Sequence, residues 1–448
     1  MTHALVLRRE PFGGIITKLD GDDQKMVFLN HTGFQITRHI AKGLNDNEIL
    51  EEITSLYEVS DIEVVKNDIQ THRSMISNIE SDNDDLASNI HDFDNSDING
   101  ENFSLPALSA PLDLYWEITS RCNLFCRHCY NRSSAVGYEP DLKQILSVID
   151  ELKSTKLRTI AISGGEPLMR KDIKTILEHV RPLALDVNLS TNGTLITDKN
   201  SAWFPDLISG ANLSLDIGNK EGYEQFRGKK GSFDKCIRGL RLLIKRDIPV
   251  VIQTVISRFN VDRLDELADL LIAEGASSWV VRIPFASGRA IENKHDFLNR
   301  EEIMKKESIF SDILNRYRSK FEMLAIGVNF GWTYREPYRC TQREDKIMSC
   351  AAGTVLASLS ADGRMAPCPV FADTNFKSDI VWNNNFLDQW VNAKCMKAMR
   401  SIKISHIPLC FQCADYGKIC HTGGCRAKSC LNGNLYTPDP DCGYFLHI

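Results

Sequence analysis

The sequence has no apolar stretch near its N-terminus of the kind that directs secretion, and no uninterrupted apolar run of about 18 residues. Export and membrane spanning are thereby set aside, and a cytoplasmic place is expected. It also has no excess of basic charge. The formal net charge is −6 over 448 residues, and residues 80–102 hold eight Asp and Glu with no Lys or Arg, which leaves the rest near neutral at +2. Nothing marks a nucleic-acid binder. What the chain does have is cysteine: 14 of them in a chain expected to sit in a reducing compartment read as metal ligands, not disulfides.

The informative stretch is Glu117-Ile-Thr-Ser-Arg-Cys-Asn-Leu-Phe-Cys-Arg-His-Cys-Tyr130, where Cys122, Cys126 and Cys129 follow a strand-like run, Leu112 to Ile118. Three thiolates can hold three corners of a [4Fe–4S] cube and leave one iron open. Alone, the same residues also fit a zinc site with His128 as fourth ligand. Further on, Ser163-Gly164-Gly165-Glu166-Pro167 ends one apolar run, Ser190-Thr-Asn-Gly193 ends the next, and Ser214-Leu-Asp216 ends a third. Polar and Gly residues at the C-terminal ends of successive strands are what a barrel-type α/β enzyme needs around a ligand.

In that order the motifs resemble the radical S-adenosylmethionine (SAM) enzymes. The resemblance implies a partial (β/α)6 barrel over residues 106–300, and the alternation of strand and helix candidates fits it. It implies a [4Fe–4S] cluster on Cys122, Cys126 and Cys129 with SAM on the open iron, and Tyr130 packed beside them. Gly164, Gly165 and Glu166 match the segment that meets the methionine amino group, where glycine lets backbone approach closely. Ser190, Asn192, Ser214 and Asp216 match polar contacts to cofactor or ribose, and Arg227 a partner for the methionine carboxylate. His128 stands where the family usually has an apolar aromatic residue; an imidazole stacked on adenine would make a pH-dependent contact. Gln253 reads as a polar barrel filler.

Residues 1–79 read as three short strands followed by helices at about 32–42, 46–57 and 61–76, with Ile49, Ile53 and Leu56 on one buried face. With Phe12-Gly-Gly14 and Asn30-His-Thr-Gly33, this winged-helix-like module resembles the peptide carrier of pyrroloquinoline quinone biosynthesis. That implies binding of the leader of a ribosomal precursor peptide, as an added strand on Met26–Phe28. The helix at 46–57 carries Asp46, Glu48, Glu51 and Glu52 and no Lys or Arg, which disfavours DNA. Residues 80–105 read as an acidic tether without helical or strand period.

Residues 301–448 open with a helical stretch and continue as a cysteine-rich tail resembling the SPASM extension of peptide-modifying radical enzymes. By that pattern Cys340, Cys350, Cys368 and Cys425 hold a first auxiliary cluster, and Cys410, Cys413, Cys420 and Cys442 a second. The hairpin between Cys350 and Cys368 turns at Asp362-Gly363. The 413–420–425 spacings are each one residue longer than usual, Cys430 competes for a ligand place, and zinc knuckles with His421 are the alternative. Cys236 and Cys395 read as small buried hydrophobes. Over nearly its whole length the chain resembles the maturase family that makes the sulfur-to-carbon thioethers of subtilosin. That implies a radical oxidoreductase acting on a precursor peptide, with a flavodoxin or ferredoxin as electron donor. Carbon–carbon coupling, epimerisation or oxidative decarboxylation of a peptide, and a non-catalytic iron–sulfur scaffold, are the alternatives.

Overall fold

A computed structural model describes residues 4–10, 12–19, 25–59, 61–79, 90–91, 107–285, 287–327, 350–371, 373–382, 385–413, 423–440 and 442. The N-terminal module is a sheet of β1 (Ala4–Glu10), β2 (Gly13–Leu19) and β3 (Lys25–Leu29), backed by α1 (His31–Ala41), α2 (Asp46–Leu56) and α3 (Ile62–Ile79). The paired glycines of its first turn have a packing cause. Gly13 lies at φ +136°, and a Cβ there would stand 2.2 Å from Asn30 backbone, while one on Gly14 would stand 2.3 Å from the Phe34 ring. Asn30 caps α1 by accepting from the Gly33 N–H at 2.7 Å, and Asn45 and Glu48 form a reciprocal capping box on α2. Ile49 and Ile53 are buried with Ile36, Val65 and Ile69. Leu56 is not: it ends α2 and is 54% exposed, so the expected apolar face is one residue shorter.

A second correction concerns the acidic segment. Ile90–His91 forms β4, paired parallel to β1 at Leu7 and Arg8, in a sheet of order β3-β2-β1-β4. The rest of 80–105 lies outside the described residues. The module is fixed to the next domain through a buried ion pair. Arg8 donates to Glu10 at 2.5 Å, to the Ala110 carbonyl at 2.9 Å and to the Lys156 carbonyl at 3.2 Å. Glu10 in turn accepts from the Ser109 N–H at 2.7 Å.

The main sheet runs β5 (Asp113–Glu117), β6 (Leu157–Ser163), β7 (Ala184–Thr191), β8 (Gly210–Ser214), β9 (Val250–Val255) and β10 (Ser278–Arg282), all parallel and in chain order. These are the expected six, and the structure adds to both ends. β11 (Met323–Gly327) joins β10 in parallel; β12 (Leu356–Leu359) joins β5 in parallel and carries β13 (Met365–Ala366) antiparallel. The turn of that hairpin places Gly363 at φ +81°. Helices such as Leu142–Leu152 and Ser232–Lys245 bury one face of the sheet with Ile145, Val148, Ile149, Leu240 and Leu243.

The other face is covered less. Along β9 burial alternates strictly, with Val250, Ile252 and Thr254 buried and Val251, Gln253 and Val255 half-buried. A sheet packed equally on both faces would not alternate. The half-buried set lines the concave side, and its polar members form a rung: Gln253 donates to Asn212 at 3.2 Å and accepts from Arg282 at 2.9 Å. The tail is also tied to the segment before β5 and to the helix Leu142–Leu152. Trp390 Nε1 donates to the Leu108 carbonyl at 2.6 Å, and the Glu151 carboxylate accepts from the N–H groups of Phe386 and Leu387, both at 3.1 Å.

Candidate active site

The cysteine loop leaves the C-terminal end of β5. Cys122 and Cys126 are buried, and Cys129 packs with them and with Leu124. Burial pushes the Cys122 thiol up to about 12 and raises Cys126, so neither ionises readily without a compensating cation. Groups that favour sulfur charge are already in place. The Leu124 N–H points at Cys122 Sγ at 3.5 Å, and Arg227 Nη1 reaches Cys126 Sγ at 3.6 Å. This donor set fits an anionic iron–sulfur cube with three protein ligands.

The glycine pair of Ser163-Gly164-Gly165 lies against this loop. Gly164 sits at φ +135°; a Cβ on it would stand 2.1 Å from the Thr119 carbonyl oxygen, and one on Gly165 2.2 Å from that of Arg121. Their neighbours bond the same carbonyls: Gly165 N to Thr119 O at 2.8 Å and Glu166 N to Arg121 O at 2.9 Å. The close approach is therefore to the cysteine loop itself. Glu166 is fully buried and accepts from Thr191 Oγ1 and Asn192 N, both at 2.8 Å, which ties the end of β6 to the end of β7. Burial raises its carboxyl to about 7 against those hydrogen bonds. Asn192 then reaches across to Asn123 Oδ1 at 3.0 Å, inside the cysteine loop.

Tyr130 lies beside the loop and donates to Glu117 Oε1 at 2.7 Å. Ser190 is half-buried and 3.4 Å from the Tyr115 hydroxyl; Ser214 is half-buried on the same concave side. Asp216 and Arg227 are brought together. They pair at 2.5 Å, both buried, and Asp216 also accepts from the Val255 N–H at 2.8 Å. Through Arg227, which reaches Cys126 Sγ, the pair also joins the cysteine loop. His128 stacks on Phe226 at 4.8 Å with 13° between the rings, and burial lowers it to about 4. That shift favours the neutral imidazole.

One residue here gave no signal in the sequence. Arg289, buried, donates to the Cys126 carbonyl at 2.9 Å and the Ser133 carbonyl at 2.8 Å, and stacks 4.0 Å from the Phe125 ring. The preceding Gly288 sits at φ +58°, where a Cβ would stand 2.4 Å from the carbonyls of Cys129 and Tyr130, and its N–H donates to Asp373 at 2.8 Å. Only the Ser287-Gly288 dipeptide after a strand hinted at a tight approach.

In the tail, Cys425 stands near enough to raise the Cys350 thiol, and both raise Cys368, behind the larger effect of burial, which takes Cys350 to about 11. Cys410 and Cys413 share a turn, and Cys442 follows Asp439, whose carboxylate accepts from the Cys425 N–H at 2.6 Å. Cys340 and Cys420 lie outside the described residues. Cys236 and Cys395 are buried among apolar side chains, as expected.

Residues 116–271 match the model of the radical SAM superfamily. The chain carries a radical SAM domain. The cofactors of such domains are a [4Fe–4S] cluster and SAM. A mycofactocin maturase, MftC, of Mycolicibacterium smegmatis is 29% identical over 341 residues, covering 75% of this chain and 83% of its own. An AdoMet-dependent heme synthase of Methanosarcina barkeri is 28% identical over 364 residues, covering 75% and 97%. Among solved structures, Streptococcus suis SuiB bound to S-adenosylmethionine superposes with a TM-score of 0.67 at 18% identity, covering 98% of both chains. The radical SAM domain thus sits within a fold shared end to end with SuiB, from the N-terminal module to the cysteine-rich tail.

Proposed function

We propose that this chain is a radical SAM enzyme that modifies a ribosomally made precursor peptide, forming a thioether between a cysteine sulfur and a carbon. The observation that carries the reading is the packed Cys122–Cys126–Cys129 group at the end of β5, in a chain with both a peptide-carrier-like module and a second cysteine group. Relatives and structural neighbours support a peptide substrate: MftC is a maturase, and SuiB has also been solved bound to its precursor peptide SuiA. When bound, the cluster and SAM supply a 5′-deoxyadenosyl radical able to take a hydrogen atom from the peptide. The chain's own residues hold this chemistry in place. Cys122, Cys126 and Cys129 would ligate the cluster, Gly164, Gly165 and Glu166 would brace their loop, and Tyr130, Ser190, Asn192 and Ser214 would contact the cofactor.

The tail would hold one auxiliary cluster on Cys350, Cys368 and Cys425 with Cys340, and another on Cys410, Cys413, Cys420 and Cys442. The first would have room for a substrate thiolate if Cys340 does not ligate. Residues 1–79, docked by Arg8 and Glu10, would bind the leader, residues 80–105 would connect the module to the barrel, and a flavodoxin or ferredoxin would supply electrons. The maturase relatives of a different product, mycofactocin, support a second reading in which the same machinery makes another change to the peptide.

The test is anaerobic turnover of the iron-loaded protein with SAM, dithionite and a cysteine-containing precursor encoded beside it. Thioether formation predicts 5′-deoxyadenosine, with loss of two hydrogens and one alkylatable thiol per crosslink. A product that keeps every thiol refutes the thioether. A loaded protein that cleaves no SAM even with peptide refutes the enzyme.

A further inference from the structure

The pair Asp216–Arg227 is buried and unusual in where it ends. Arg227 is the C-terminal residue of helix Lys220–Arg227, stopped by Gly228 at φ +70°, and it points inward instead of to solvent. One end of its guanidinium meets Asp216 at 2.5 Å and the other reaches Cys126 Sγ at 3.6 Å. Asp216 is held by the Val255 N–H, and the Tyr223 ring lies 5.7 Å from the guanidinium carbon. A cation is thus fixed against a cluster ligand, and its counter-charge is fixed on the far side.

We propose that Arg227 is a positioning residue that sets the reduction potential of the cluster on Cys122, Cys126 and Cys129, and that Asp216 limits how far. The inference rests on the cluster assignment above and adds a role to it. Cluster potentials depend on net charge, on hydrogen bonds to sulfur and on solvent exposure. Reduction adds an electron, so a buried cation beside a ligand sulfur favours the reduced state and raises the potential. A buried carboxylate opposes it. The two residues therefore act with opposite sign, although they touch each other. A purely structural brace has no such signature, since losing either half would loosen the same contact.

The experiment is an anaerobic redox titration followed by electron paramagnetic resonance, without SAM, reading the signal that Cys126→Ala removes. Arg227→Gln is expected to lower the midpoint by at least 59 mV, a tenfold change in the reduced-to-oxidised ratio for one electron, and Asp216→Asn to raise it. Arg227→Lys, which keeps the charge, is expected to stay near the parent. Shifts of the same sign, or none in fully loaded protein, overturn the proposal. Where Arg227→Gln does not hold iron, the other two variants decide. A raised midpoint in Asp216→Asn with a parental one in Arg227→Lys supports it, and a parental midpoint in Asp216→Asn overturns it. A parent with no signal that Cys126→Ala removes overturns the cluster assignment along with it.

Discussion

Gly164→Ala separates two reasons for a glycine at the end of β6. If glycine is needed so that backbone can approach a bound cofactor, the substitution leaves the empty protein intact. The structure predicts otherwise. The new Cβ would stand 2.1 Å from the Thr119 carbonyl oxygen, a backbone atom that cannot rotate away, and the residue would hold φ +135°. A non-glycine residue in a sparsely populated region costs about 1–3 kcal/mol, and overpacking a tight site costs about 1–3 kcal/mol more. About 3 kcal/mol is therefore expected before any ligand is added. For a domain of this size that is roughly 6–12 °C in melting temperature. The assay is thermal unfolding of the iron-free protein beside iron uptake on reconstitution. Both are expected to fall. A Gly164→Ala protein that melts with the parent when iron-free but fails to cleave SAM would refute the packing argument.

Further predictions follow from buried charge and from the loop's supports. Arg8→Ala leaves the Glu10 carboxylate buried without its cation and is expected to cost about 3–5 kcal/mol in thermal unfolding, with Arg8→Ala/Glu10→Gln costing less; a double variant at least as unstable as the single refutes the pairing. Glu166 has its folded value raised to about 7 from 4.5, so its contribution to stability is full below pH 4.5 and lost as pH rises to about 7, about 3 kcal/mol in all; Glu166→Gln is expected to flatten that slope in the iron-free protein. Arg289→Ala abandons the carbonyls of Cys126 and Ser133, each costing about 1–3 kcal/mol, and is expected to speed iron loss to a chelator; an unchanged rate counts against the clamp. Cys350→Ala, Cys368→Ala and Cys425→Ala are each expected to lower bound iron by about four per chain, while Cys236→Ala and Cys395→Ala leave it unchanged.

The periodic elements were legible because each announces itself locally. Asn45 and Glu48 mark the start of α2, and the apolar runs before Ser163, Ser190 and Ser214 mark β6, β7 and β8. The grouping of Cys122, Cys126 and Cys129 was legible because their spacing keeps them on one short loop, where they pack together. What stayed hidden was set by partners distant in sequence. β4 is two residues long and exists because β1 offers it an edge. β12 reads as one arm of a hairpin, and nothing in Leu356–Leu359 says that its other neighbour is β5, more than two hundred residues earlier. Nothing local in Phe226-Arg-Gly228 says that Arg227 pairs with Asp216, eleven residues earlier; only the fold shows it.

The pairing of β12 with β5 bears on how the two cysteine centres are related. Cys122, Cys126 and Cys129 leave the end of β5, and Cys350 and Cys368 flank the β12–β13 hairpin beside it. A second bridge crosses between the loops themselves: Asp373, five residues past Cys368, accepts from Gly288, whose neighbour Arg289 clamps the Cys126 carbonyl, and lies 3.6 Å from Arg132. Backbone ladder and side-chain clamp, both among the described residues, therefore set the position of one cysteine group relative to the other. If both groups act on one peptide, as proposed, they need fixed separation, because a misplacement of about 1 Å can cost a hundredfold in rate. Arrangement on one continuous sheet is a direct way to secure it.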